Sequence, residues 1–277
     1  MSINVSTAFV TLFDSEVKQA YQAESILRGT MRTRTGVAGN TVKFPKIGKG
    51  VATARTPQAD VTPLNVTYAQ VTATMEDYIA AEYSDIFMQS HINFDERSEL
   101  VQVVSKSIAR RMDQLMIDAL NAATGTSTVA TGVGGTTTNM NIEKLRATAK
   151  AMNEKNVPAD GRHLLMHASQ LDALLGETEV TSSDFASVKA LVQGEIDTFM
   201  GFKILTMGDR DEGGIPKPST RTCFAWHKDS MGYAESMSQK TEVNYVPQKT
   251  SFLVASMFSA GSVAIDAEGI VKISCTE

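Results

Sequence analysis

This sequence of 277 residues contains few cysteines, few aromatic side chains and no long hydrophobic run. Its two cysteines, Cys223 and Cys275, lie far apart, so they indicate neither a disulfide framework nor a zinc motif. No stretch approaches the roughly 18 consecutive apolar residues of a transmembrane helix. The N-terminus also lacks the basic region of a secretory signal. We therefore expect neither export by a cleavable signal nor a membrane partner.

Motifs for catalysis and for metal binding are equally scarce. No G-x-S-x-G, H-E-x-x-H or dinucleotide-binding fingerprint occurs. His163 and His167 have an H-x3-H spacing, but the residues between them indicate a strand, on which four positions span about 13 Å, too far for one metal ion. Cys223 and His227 share a predicted strand or its end, a poor arrangement for a nucleophile and its base. The sequence therefore predicts no enzyme, no cofactor and no metal site.

The charge is distributed unevenly along the chain. The net charge is -5, yet residues 1–60 hold eight Lys/Arg against four Asp/Glu. Residues 25–59 contain no acidic residue and seven basic ones, namely Arg28, Arg32, Arg34, Lys43, Lys46, Lys49 and Arg55. This segment is consistent with a solvated arm, with contact to the acidic body of a neighbouring copy, or with nucleic-acid binding. A pI near 5.5 and few aromatic residues argue against a dedicated nucleic-acid-binding module.

Residues 41–80 contain two extended segments rich in Thr and Val. The segment Val61–Met75 alternates with period two, as a strand does. The segment Thr41–Arg55 offers four large apolar side chains, Val42, Phe44, Ile47 and Val51. A two-stranded ribbon is at best marginally stable alone in water. We therefore expect this ribbon to lie on another molecule, most simply a second copy of the chain.

Two helices flank the ribbon in sequence. Residues 6–28 show amphipathic spacing with Ser6 as a cap, and a mobile basic connector is predicted from Gly29 to Gly39. A much longer helix is predicted from about Phe94 to Ala123, with Asn93 as its N-cap. About 30 residues make a rod of roughly 45 Å, longer than the helices of most compact domains. We call it the spine helix.

The rest of the chain alternates between helix and strand and then becomes β. For residues 140–235 the pattern predicts, in order, a helix from Ile142 to near Asn156, a strand Arg162–His167, a helix from Ser169 to Leu175, a short helix 188–193, a hairpin Glu195–Phe199 with Phe202–Thr206 turning at Met200-Gly201, and a strand Arg221–Trp226. Four tail strands are predicted at Glu242–Val246, Ser251–Phe258, Val263–Asp266 and Ile270–Ser274. We expect the tail strands to pack on the spine helix and to extend the ribbon.

The order of these elements resembles that of the major capsid proteins of tailed bacteriophages, which have the HK97-like fold. Three segments resemble the family most closely: NVPADGRHLLMHASQLDALL, GEIDTFMGFKILTM and AGSVAIDAEGIVKIS. The resemblance implies an α+β fold in five parts. These are an N-terminal arm (1–38), an extended loop or E-loop (39–78), a peripheral domain with the spine helix (79–139, helix about 94–123), an axial domain (140–235), and terminal strands of the peripheral domain (236–277).

The resemblance also implies a function in the virion. Copies of the chain would assemble in the bacterial cytoplasm into pentamers and hexamers of an icosahedral shell, which encloses double-stranded DNA and matures from a procapsid. The expected partners are other copies, a portal protein, a separate scaffolding protein, a decoration protein in some cases, and DNA through non-specific contacts. The seven basic residues of 25–59 would make inter-subunit contacts. Two alternatives stay open: an encapsulin-like nanocompartment shell, and a DNA-binding or scaffold-associated virion protein.

Overall fold

The structure, a computed structural model, describes residues 24–58, 60–91, 95–177, 198–210 and 212–277. Within these ranges the chain forms three sheets and four α-helices. The elements are β1 Arg32–Thr35, β2 Thr41–Ile47, β3 Tyr68–Thr74, β4 Glu76–Asp85, α1 Ile86–His91, α2 Glu96–Ala122, β5 Ser127–Val129, α3 Ile142–Glu154, β6 Arg162–His167, α4 Ala168–Leu175, β7 Thr198–Phe199, β8 Phe202–Met207, β9 Arg221–His227, β10 Met231–Val246, β11 Ser251–Ala264 and β12 Ile270–Cys275.

A four-stranded sheet supports the spine helix α2. Its strand order is β1-β10-β11-β4, with β1 parallel to β10 and the other pairs antiparallel. Because side chains alternate between the faces of a strand, Val254 and Phe258 of β11 share one face, and both are fully buried. Tyr78 stacks on Phe258 with ring centroids 5.2 Å apart, and the Arg111 guanidinium of α2 lies over Tyr78. The helix therefore covers this face of the sheet.

A six-stranded sheet forms the second half of the body. Its order is β5-β12-β9-β6-β8-β7, and β6 and β8 are parallel. Leu165 of β6 belongs to the core that includes α2, whereas its neighbours Leu164 and Met166 belong to a second core with α3 and α4. Asn141 caps α3 by accepting a hydrogen bond from Lys144 N at 2.8 Å. The predicted alternation of helix and strand in this region is confirmed where the structure describes it.

The spine helix and the hairpin of the second sheet also confirm the sequence patterns. Helix α2 has 27 residues and is about 40 Å long. Its N-cap is Asp95, so the prediction of Asn93 as the N-cap is wrong. Asn93 itself lies outside the described residues. In the β7–β8 hairpin, Met200 and Gly201 both have positive φ values, as a two-residue hairpin turn requires. The predicted helix 188–193 and the hairpin residues 195–197 lie outside the described residues.

The N-terminal region differs from the prediction. Residues 6–23 of the predicted helix lie outside the described residues, and residues 24–28 are described but are not helical. The connector predicted to be mobile from Gly29 to Gly39 is instead part of the body, because Met31 is buried and residues 32–35 form β1. The glycines and charges of this segment favour a solvated loop, whereas the two apolar side chains that the core buries, Leu27 and Met31, are too few to form a periodic pattern.

The tail also differs from the prediction. Strand β11 runs without a break through Ser259–Gly261, where two strands were expected. Strands β10 and β11 pack on α2 as expected, but β12 pairs with β9 and β5 in the six-stranded sheet. The ribbon β2–β3 is a separate two-stranded sheet, so the expectation that the tail extends it is wrong.

Candidate assembly surface

The ribbon predicted from residues 41–75 is present as an antiparallel pair. Strands β2 and β3 pair in register from Thr41 opposite Thr74 to Ile47 opposite Tyr68. The pairing closes with a 2.8 Å hydrogen bond from Gly48 N to Thr67 O. The second strand begins at Tyr68 rather than Val61, and the described residues between Gly48 and Thr67 form no helix or strand.

The base of the ribbon rests on its own subunit. Val42, Phe44, Ala73 and Met75 are buried in a small core with Ala234 and Ile265 of the body. Two glycines permit this close approach. A Cβ at Gly232 would lie 2.9 Å from the Phe44 ring, and a Cβ at Gly261 would overlap the carbonyl oxygen of Thr74. The expectation that the whole ribbon lies on another molecule is therefore corrected for its base.

In the far part of the ribbon, residues 47–58 and 60–68, no side chain is buried, and we call this part the ribbon tip. Val51, Val61 and Tyr68 are 81%, 89% and 81% exposed, and Ile47 and Leu64 are more than half exposed. Burying one such side chain is worth about 1.5–3 kcal/mol. Several large apolar groups on one extended segment are typical of an interaction site rather than of a free surface.

A second apolar patch lies at one end of the four-stranded sheet. There Asp85 of β4 and Val246 of β10 both flank Ser251 of β11, and helix α1 follows β4 directly. The exposed apolar side chains at this end, which we call the sheet-end patch, lie on both faces of the sheet and on α1. Tyr83 lies on one face and Val243 and Tyr245 on the other, and Ile86, Phe87 and Met88 belong to the helix. Each subunit therefore presents two separate apolar surfaces, which permits contacts with more than one neighbour.

Among the basic residues at the ribbon, Lys46 and Lys49 form ion pairs with acidic side chains of the same chain. Lys46 Nζ lies 2.8 Å from Asp266 Oδ1, and Lys49 Nζ lies 2.6 Å from Glu268 Oε2. The hydrogen bond to Glu268, together with the charge of that carboxylate, raises the pKa of Lys49. These pairs tie β2 and the following loop to the turn between β11 and β12. No local pattern in the sequence indicates these pairs, because each joins residues more than 200 positions apart.

The other five basic residues do not converge on one site. Arg28 Nη2 lies 3.8 Å from the buried carboxylate of Glu235, and Arg34 Nη1 donates to Lys43 O at 3.4 Å. Arg32, Lys43 and Arg55 are exposed. The contribution of all seven basic residues to inter-subunit contacts stays a prediction.

A polar network at the end of β6 involves groups that resemble catalytic ones. Ser169, Lys217 and Arg221 donate hydrogen bonds to the Glu277 carboxylate, and these bonds, chiefly that from Lys217, hold the pKa of Glu277 at about 2. His167 Nδ1 accepts a hydrogen bond from Ser169 N and caps α4. The imidazole nitrogen nearest the Ser169 hydroxyl is therefore used as a helix cap, which gives this network a structural role.

The part of the chain that the structure describes contains neither a membrane-spanning helix nor a cluster of metal ligands. Its helices include none with the length and apolar character to cross a membrane. Its His, Cys, Asp and Glu side chains form no group of three or more that could hold a metal ion. The candidate functional surfaces are therefore the ribbon tip and the sheet-end patch.

This chain has an anchored ribbon and two uncovered apolar surfaces. It therefore belongs to the class of structural proteins that bury their exposed apolar side chains by associating with other copies. The sequence matches the phage capsid protein family over residues 5–277, and the chain belongs to that family. No curated protein matches the sequence.

Solved phage structures share the fold. The capsid structure of Cyanophage P-SCSP1u matches with a TM-score of 0.77 at 17% identity, over 100% of this chain and 96% of that chain. The head structure of Helicobacter pylori bacteriophage KHP40 gives 0.79 at 11% identity, over 99% and 98%. A chain of Mycobacterium phage Che8 gives 0.75 at 14%, over 96% and 97%. The family and the fold confirm the prediction of a tailed-phage major capsid protein with the HK97-like fold, and they favour it over the encapsulin-like and DNA-binding alternatives.

Proposed function

We propose that this chain assembles into pentamers and hexamers that close an icosahedral shell around packaged double-stranded DNA. The observation that carries the proposal is the ribbon, whose base is buried on its own body while its tip exposes large apolar side chains. A segment fixed at one end and uncovered at the other is suited to lie on the adjacent copy. Because each copy both gives and receives such a tip, the contact is heterologous, and heterologous contacts form rings where the rotation between neighbouring copies closes.

Within this proposal the parts of the chain take distinct roles. Residues 39–78 serve as the E-loop, residues 140–235 as the axial domain around the rings, and residues 79–139 with 236–277 as the peripheral domain. Because β12 pairs with β9, that last strand is counted with the axial domain in this proposal. Of the N-terminal arm, residues 1–38, the described segment 24–35 contacts the body.

The partners follow from the same proposal. Other copies of the chain are the main partners, with a portal protein, a separate scaffolding protein and, in some cases, a decoration protein, and the packaged DNA is contacted without sequence specificity. Assembly takes place in the cytoplasm of a bacterial host, and the mature protein resides in the virion. The role is structural, so no catalytic step is assigned.

Electron microscopy of the purified protein, alone and co-expressed with the scaffolding protein, tests this function. We expect closed polyhedral particles whose formation depends on protein concentration, and analytical ultracentrifugation measures that dependence. A single molecule that stays monomeric at all concentrations under both conditions would contradict the proposal. Particles that enclose a protein cargo instead of nucleic acid would favour the encapsulin-like alternative.

The Lys46–Asp266 pair is expected to act within one subunit, which a complementation experiment can test. Lys46→Glu should reduce particle yield several-fold at low salt and less at high salt, although a partly exposed pair is worth about 1 kcal/mol or less. The double variant Lys46→Glu/Asp266→Lys should restore the yield. A mixture of the two single variants should not, because a contact within one chain cannot form between different chains.

The matched control is Lys150→Glu, which changes the net charge equally at an exposed ion pair on α3. It should leave the yield unchanged. Recovery in the mixture of single variants would show that Lys46 instead contacts a neighbouring subunit, as the sequence predicted.

A further inference from the structure

Residues 24–35, which we call the strap, contact both sheets of the body. Leu27 and Met31 of the strap are fully buried in the core that α2 shares with both sheets. In that core, Trp226 comes from the six-stranded sheet and Tyr233 from the four-stranded sheet. The strap therefore packs against both halves of the body at once.

A buried carboxylate on the spine helix holds the start of the strap. Asp113 is 0% exposed, and its Oδ1 accepts hydrogen bonds from Ser25 Oγ at 2.7 Å and from Leu27 N at 3.2 Å. Its Oδ2 accepts from Ile26 N at 3.1 Å and from Arg210 Nη1, in the loop after β8, at 2.8 Å. One buried charge thus binds the strap and a loop of the six-stranded sheet together.

The remainder of the strap is fixed to each sheet separately. Trp226 Nε1 of β9 donates to Thr30 O at 3.1 Å. Further on, β1 pairs with β10 of the four-stranded sheet, with Arg32 opposite Gly232. Arg210 Nη2 also reaches back to Glu24 O at 3.3 Å. A segment of twelve residues therefore contacts the spine helix and both sheets.

We propose that the strap, clamped at Asp113, is a conformational lock that holds the two sheets in one arrangement, and that its release at Asp113 permits that arrangement to change. A buried carboxylate that loses its hydrogen-bond donors is strongly destabilised. The clamp is therefore either closed with all four donors or open with Asp113 rehydrated, which gives two discrete states. The lock itself does not depend on the proposed function. Only its use in a shell, where one sequence occupies both pentamers and hexamers, rests on that function.

Neighbouring contacts provide a matched control for the clamp. Arg110 of α2 pairs with Glu212 at 2.7 Å, and Gln114 Oε1 accepts from Gly214 N at 2.9 Å. These contacts tie the same helix to the same loop without touching the strap. A change at Arg110 therefore perturbs the helix–loop contact while the strap clamp is left in place.

Hydrogen exchange on the unassembled subunit tests the clamp. In Asp113→Asn, which keeps the shape but removes the charge, the amides of Ile26 and Leu27 should exchange at least about tenfold faster, the effect of losing a charge-assisted hydrogen bond. Arg110→Gln should leave them unchanged. If Asp113→Asn does not fold, Ser25→Ala removes one hydrogen bond and should accelerate the same amides several-fold. Unchanged exchange in a folded variant would overturn the clamp.

A distance measurement tests the lock. Spin labels at two exposed positions, Lys150 on α3 and Lys240 on β10, report the separation of the two halves by pulsed electron resonance. The distribution should be narrow in the parent protein and in Arg110→Gln, and broader or shifted in Asp113→Asn. Faster exchange in the strap with an unchanged distribution would overturn the lock. Both measurements use unassembled subunits, so their outcome is independent of whether the protein forms shells.

Discussion

A subunit that lacks residues 49–66 will fold normally and will not form shells. The deletion joins Gly48 to Thr67 through a short Gly/Ser turn, at the point where Gly48 N already donates to Thr67 O. It removes the exposed Val51, Val61 and Leu64, and it keeps the buried base of the ribbon. Since burial of each lost side chain is worth about 1.5–3 kcal/mol at an interface, assembly should be abolished. Sedimentation velocity and electron microscopy measure assembly, and thermal unfolding measures the fold.

The boundaries of this deletion matter because the ribbon has two parts. Removing all of residues 40–78 would also remove Val42 and Phe44 and uncover Ala234 and Ile265, so loss of assembly would be confounded with loss of stability. A finer comparison uses two neighbouring exposed positions. Val61→Asp should weaken assembly strongly, whereas Thr62→Asp, with the same added charge, should weaken it less. Normal shells from the 49–66 deletion would exclude the ribbon tip from the assembly contacts.

The elements predicted well from the sequence are those specified by local patterns. The spine helix has an uninterrupted apolar stripe, and the Met200-Gly201 turn needs two positive φ values, so both are encoded within a few residues. The ribbon strands likewise follow from alternation with period two. The limits of the second ribbon strand could not be predicted, because alternation continues through Val61–Thr67 although pairing stops at Tyr68.

The elements predicted badly depend on contacts between distant parts of the chain. Asp113 organises residues 25–27 across more than 80 positions, and nothing in the strap's own sequence indicates a buried carboxylate partner. The partner of Lys46 likewise lies 220 positions away. Two glycines did provide a usable signal. Gly232 and Gly261 lie inside strands β10 and β11, and a glycine inside a strand often marks a close approach of another backbone or ring.

Gly261→Ala will destabilise the subunit and detach the base of the ribbon. The added Cβ would overlap the Thr74 carbonyl oxygen and lie 2.9 Å from the Thr74 carbonyl carbon. Both atoms belong to backbone at the junction of β3 and β4, so no side-chain rotation relieves the overlap. Overpacking of this kind costs typically about 1–3 kcal/mol, and loss of the ribbon base would uncover Phe44 and Val42 in addition. We expect the free energy of unfolding to fall by about 3 kcal/mol, as measured by denaturant titration.

Gly208→Ala is the matched control, because a Cβ at Gly208 has no neighbour within 4 Å and the residue has no positive φ. Its effect on stability should stay within about 0.5 kcal/mol. Limited proteolysis separates the two consequences of Gly261→Ala, since a detached ribbon is cleaved within residues 41–75 before the body unfolds. Equal stability and equal protease resistance of both variants would show that the ribbon base is not held against β11. The burial of Phe44 would then depend on the close approach at Gly232, where an added Cβ would lie 2.9 Å from the Phe44 ring.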